Sequence, residues 1–148
     1  IWQQAGKALL PRKVKRIFRK GAWVDEQKRM MPGYVFMFSN AAYPKAELRR
    51  IDHVIRVLHY EEEPEGYLMG RDRELAEMLL KKDGLLGVLA AIEVGGRVQI
   101  TDGLLQHYRG KVLKMDKRKQ MAEIQLDIAG DVTSVWLSYE VLDKDETE

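Results

Sequence analysis

The sequence predicts an α+β protein in two parts, a mixed first part of strands and helices followed by a small β-barrel. Three features carry that expectation. The run Tyr34-Val35-Phe36-Met37-Phe38, opened by Pro32-Gly33, has the length and composition of a buried strand. Leu75, Met78 and Leu79 recur at i, i+3, i+4, the stripe of an amphipathic helix. Past Gly84 the texture changes to short β-rich segments punctuated by Gly95-Gly96, Asp102-Gly103, Arg109-Gly110 and Gly130-Asp131.

In chain order, Pro11 bars an early helix, and Lys13–Phe18 reads as a strand or arm with Val14, Ile17 and Phe18 set between bases. Gly21 punctuates it, and Trp23-Val24 starts a return strand. The 34–38 strand follows. Pro44 suits the first turn of a short helix, Lys45–Ile51, and Val54–Leu58 is the next strand candidate. Asp72 is placed to cap a helix running to about Lys82, with Lys81 and Lys82 at its negative end and Gly84 to stop it. Arg97–Thr101, Lys111–Met115, Ala122–Ile128 and Thr133–Tyr139 are the later strands. Among them Ile124, Leu126 and Ile128 alternate with Gln125 and Asp127. So many short strands in so little chain bury enough surface only by curling into a barrel. The expected division is a first domain over 1–83, an apolar linker over 84–93 that packs rather than swings, and a barrel over 94–148.

Charge is distributed unevenly. The 148 residues hold 25 Lys and Arg against 23 Asp and Glu, a net of only +2. Yet Lys7, Arg12, Lys13, Lys15, Arg16, Arg19 and Lys20 follow one another with no acid between them. A basic block beside an acidic body is the footprint of a protein that meets a polyanion. A solvated basic arm is the alternative use of such a run. Enzyme chemistry has little to stand on. No cysteine is present, which excludes disulfides, thiol nucleophiles and cysteine-held metals. His53, His59 and His107 have no metal-ligand spacing, Gly103 to Lys111 fails the phosphate-loop pattern, and Glu61–Glu65 lacks the alternation of a calcium loop. No nucleophile, base and orienting group assemble. A binding module without metal or cofactor is expected, not an enzyme. Nothing resembles a membrane span or a signal peptide, so a soluble, cytoplasmic monomer is the expectation.

Two segments resemble a known family. Arg29-Met30-Met31-Pro32-Gly33-Tyr34-Val35-Phe36 resembles the Phe-Pro-Gly-Tyr-Val strand in the N-terminal domain of NusG-type transcription factors. Val98-x-Ile100-Thr101-Asp102-Gly103 … Gly110-Lys111-Val112 is similar to the KOW motif that opens their C-terminal barrel. Their order and spacing match, and the resemblance covers nearly the whole chain. It implies an N-terminal α/β domain with an antiparallel sheet, then an SH3-like KOW β-barrel. It also implies that roughly 25 further N-terminal residues, a first strand and helix, precede Ile1. Lys117-Arg118-Lys119-Gln120-Met121-Ala122 and the heavy basic arm are similar to specialised LoaP-type antiterminators.

The function implied is transcription elongation or antitermination. Met31, Pro32, Gly33 and Tyr34 would grip the clamp helices of bacterial RNA polymerase. Arg12, Lys13, Lys15, Arg16, Arg19 and Lys20 would face DNA or nascent RNA. Leu104, Leu105, Tyr108, Ala129 and Asp131 form the surface implied for a further protein recruited by the barrel. That surface departs from the family: Ala129-Gly130-Asp131 stands where Phe-Gly-Arg is usual, and Asp102-Gly103-Leu104-Leu105 where Asp-Gly-Pro-Phe is usual. An aromatic anchor and a cation are replaced, which weakens the usual partners. Two other uses of the same residues are a translation-linked RNA-binding KOW protein and a protein-binding adaptor. Residues 94–148 carry eight bases and ten acids, which argues against tight RNA binding by the barrel.

Overall fold

A computed structural model describes residues 7–39, 45–62, 66–101 and 111–142. The protein is mixed α+β and rich in strands, with two helices and three curled sheets among the described residues. The first sheet pairs β1 (Lys7–Leu9) antiparallel with β4 (Phe36–Phe38). The second has the order β3-β2-β5, built on the hairpin of β2 (Arg12–Arg19) and β3 (Ala22–Arg29). Lys20 and Gly21 turn that hairpin with φ of 48° and 79°, the doubly positive geometry that matches the twist of two-residue loops. β5 (Leu85–Leu86) joins β2 in parallel, Arg12 opposite Leu85, so this part is not wholly antiparallel.

The helices are α1 (Lys45–Arg49) and α2 (Gly70–Lys81). Leu75, Ala76 and Leu79 of α2 are buried, as the apolar stripe requires, while Met78 is half-buried. Asp72 is not its cap. The N-cap is Met69, with no side-chain capping bond, and Asp72 lies inside the first turn with its carboxylate turned to other partners. At the other end Gly84 donates to the Leu79 carbonyl at 2.7 Å with φ of 79°, and its own carbonyl accepts from Arg12 N at 2.7 Å. One residue thus ends α2 and starts the β2 register.

The third sheet has five strands in the order β7-β6-β10-β9-β8: β6 (Leu89–Val94), β7 (Arg97–Ile100), β8 (Lys111–Asp116), β9 (Met121–Ile128) and β10 (Asp131–Val141). β10 pairs antiparallel with β9 and parallel with β6. Ile124, Leu126 and Ile128 are buried while Asp127 is exposed, the alternation of a half-buried strand. Buried residues from all three sheets and α2 form one apolar cluster, from Leu9, Met30 and Met31 through Leu75, Leu79 and Leu86 to Leu89, Ile124, Leu137 and Tyr139. The segment 84–93, expected as a linker, supplies β5 and most of β6, with Leu86 and Leu89 both buried.

Two expected strands differ. The 34–38 run is strand only over Phe36–Phe38, because Tyr34 N donates to the Met31 carbonyl at 3.0 Å in a turn; Val35 is left exposed. Val54–Leu58 is not a strand. It follows a chain of turn bonds, Ile51 N to Leu48 O and Val54 N to Ile51 O, and finds no sheet edge; Ile55 stands 95 % exposed. β-propensity makes a strand only where a partner edge is available.

Candidate functional site

The segment leaving β3 turns from core to surface within five residues. Met30 N donates to the Pro11 carbonyl at 2.9 Å, closing the base of the hairpin, and Met30 and Met31 are buried. Pro32 and Gly33 are exposed, Gly33 with φ of 88°, and Tyr34 emerges half-buried. Of the four residues expected to grip polymerase, Met31 is therefore a core residue in this conformation, and Tyr34 is half-buried, packed against the apolar core with its hydroxyl end turned outward.

Tyr34 is not alone there. Its hydroxyl donates to Asp131 Oδ2 at the start of β10, and Asp131 Oδ1 accepts from the Arg56 guanidinium at 2.6 Å. The hydrogen bond from Tyr34, with the Arg56 charge beside it, holds the Asp131 carboxyl below its ordinary range. That same bond to an anion, with burial, pushes the Tyr34 phenol up. Ala129, on the neighbouring turn, donates its N–H to Asp72 Oδ2 at 3.0 Å, and the Tyr60 hydroxyl donates to that same oxygen at 2.6 Å. Burial and Asp72 raise the Tyr60 phenol. Residues read from the sequence as two separate surfaces, Tyr34 on one and Ala129 with Asp131 on the other, here face each other. Leu104, Leu105 and Tyr108 of the expected barrel surface lie outside the described residues.

The basic arm is the β2–β3 hairpin, and most of its cations are engaged. Arg12 donates to Gln27 Oε1 at 2.8 Å and to the Asp83 carbonyl at 3.0 Å. The Lys13 ammonium donates to the Trp136 carbonyl of β10; burial, then the nearby Lys15 charge, pulls its pKa below the ordinary lysine value. Arg16 lies 3.4 Å from both Asp25 and Glu140, although its buried Nε makes no hydrogen bond. Its backbone N–H is satisfied by Ser138 Oγ at 3.0 Å. Arg19 pairs with Glu26 at 2.8 Å, a carboxylate that also meets Lys28 at 3.5 Å. Among the described residues Lys15 and Lys20 form no ion pair. The hairpin cations that make neither an ion pair nor a side-chain hydrogen bond with a described residue are thus Lys15 at its middle, Lys20 at its tip and Arg29 at its base.

No known protein-family model matches the chain, and no curated protein matches it. The sequence reading missed Arg56, Tyr60 and Ser138. Arg56 looked like the polar position of a strand, and Ser138 carries no local signal because its partner is 122 residues away. Among the described residues no helix is long and apolar enough to cross a membrane.

Proposed function

We propose that this chain is a cytoplasmic NusG-type transcription elongation or antitermination factor of the specialised LoaP-type branch, acting as a monomer. Its first part docks on the clamp helices of bacterial RNA polymerase through the Pro32–Tyr34 surface, with Met31 supporting that surface from the core. The hairpin beside it reaches DNA or nascent RNA, and the two contacts together raise processivity by bridging. The observation that carries this reading is the exposed Pro32-Gly33 turn, which sets the half-buried Tyr34 at its edge directly after a hairpin holding eight cations and two acids. A surface tyrosine is a common energetic anchor in protein docking, and phosphate contacts from the hairpin supply affinity without base choice.

The test is titration of the protein into purified bacterial elongation complexes. Saturable binding should weaken at least about tenfold in Tyr34→Ala. Asp131→Ala, which releases the Tyr34 hydroxyl, should bind more tightly than the parent. Binding indifferent to Tyr34 would remove polymerase docking through this surface.

One observation favours a second reading, a translation-linked RNA-binding protein. Lys111, Lys114, Lys117, Arg118 and Lys119 are all exposed on β8 and the turn after it. RNA binding that survives replacement of Lys15 and Lys20 by Ala but fails without Lys111 and Lys114 would select it.

A further inference from the structure

The far end of the hairpin carries an aromatic pair with no packing role in the core. Phe18 and Trp23 face each other across β2 and β3, edge to face, with ring centroids 5.3 Å apart. Phe18 is 58 % exposed and Trp23 38 %, although both are large rings that gain most from burial. Cross-strand aromatic pairs often serve to fix hairpin register. Here register has other determinants: eight paired positions, the Lys20-Gly21 turn, and the Ser138 bond to Arg16 N. Both rings keep exposed surface.

The surrounding charge says what fits them. Strand alternation puts Arg12, Val14, Arg16 and Phe18 of β2 on one face of the hairpin with Trp23, Asp25, Gln27 and Arg29 of β3. The two acids nearby are engaged, Asp25 by Arg16 and Glu26 by Arg19 and Lys28. Lys20 stands at the turn beyond the rings, and Arg29 lies six residues behind Trp23, about 20 Å along an extended strand. An occupant must therefore offer flat aromatic faces together with negative charge along its length. Single-stranded nucleic acid has both, whereas a duplex keeps its base faces stacked inside.

We propose that the end of the β2–β3 hairpin is a stacking platform for single-stranded nucleic acid: Phe18 and Trp23 take the faces of unpaired bases while Lys20 and Arg29 meet the phosphates. This rests on the nucleic-acid half of the function proposed above and is independent of polymerase docking. Stacking tolerates any base, so the platform selects strandedness rather than sequence.

The experiment uses the full chain and fluorescein-labelled oligo(dT), oligo(U) and a DNA duplex of equal length, with anisotropy reporting binding and the tryptophan emission change that is lost in Trp23→Phe, two other tryptophans being present, reporting contact with Trp23. The expected result is tighter binding of the single strands than of the duplex. Trp23→Ala and Phe18→Ala should each weaken single-strand binding about tenfold or more, and Trp23→Phe should recover most of it. Lys20→Ala should weaken all three probes and reduce the salt slope by about one unit. Because both rings are exposed, the variants should melt with the parent, which separates lost stacking from lost folding. Oligo(dT) against oligo(U) distinguishes DNA from RNA as the source of the strand. Equal binding of duplex and single strands, unaffected by the aromatic variants, would overturn the platform and leave the basic hairpin standing as a phosphate contact. No binding of any probe would overturn both, whatever the polymerase titration gives.

Discussion

Asp131 holds two partners at once, and its ionisation sets how the contact between β10 and the Tyr34 segment responds to pH. Its carboxyl is depressed below the ordinary 3.8, so the stabilisation it brings is present above that value and lost as pH falls through the lowered one. The Tyr34 phenol is raised above 10.0, so its share is present below that value and lost as pH rises through the raised one. The contact is therefore firmest between those limits. Asp131→Ala should return the Tyr34 titration toward 10.0, read as phenolate absorbance against a Tyr34→Phe control. An unchanged titration would mean that the bond does not form in solution. Ser138 offers a second test. It is buried and gives its oxygen to the Arg16 N–H, so Ser138→Ala leaves that donor without its partner. We expect a loss of about 1–3 kcal/mol in urea denaturation. A loss of only a few tenths would show that water replaces the hydroxyl.

Among the elements, the junction of α2 with β2 depends most on one residue. Gly84 has a positive φ, and a Cβ there would meet Leu9 Cδ1 at 2.9 Å. Gly84→Ala should cost about 1–3 kcal/mol by thermal melting, and less of that in a Leu9→Ala background, where the clash is gone and only the backbone strain remains. Equal costs in both backgrounds would assign the whole effect to φ. The same junction shows what a sequence can reveal. The hairpin, α2, its stop at Gly84 and the alternation of β9 all follow from local patterns, because the residues that decide them are neighbours. Val54–Leu58 misled because its composition suits a strand while the turn bonds that lead into it carry it away from every sheet. Asp72 looked like a cap because a capping residue and a tertiary acceptor are the same residue type; only the positions of Tyr60 and Ala129 N distinguish them. The candidate site was legible in pieces for the same reason. Tyr34 and the basic run stood out, whereas the pairing of Tyr34 with Asp131, 97 residues away, had no local trace.

At the scale of the whole molecule, one apolar cluster runs through all three sheets, with β2 laid beside β10 through the Lys13, Arg16 and Ser138 contacts. Such continuity predicts a single cooperative unfolding transition, with calorimetric and van't Hoff enthalpies equal. Two separate transitions would mean that the sheets of the first part and the five-stranded sheet fold independently. The link between them is short: β5 ends at Leu86 and β6 begins at Leu89, leaving Gly87 and Val88 between. Two residues span at most about 7 Å. The five-stranded sheet thus has no room to drift away on a tether; Gly87 and Val88 hold it beside Tyr34 as a hinge holds a door. A door so hung stays near its frame, so Asp131 meets Tyr34 at a local concentration that a partner in solution must outcompete, and lengthening the hinge is the direct way to lower it.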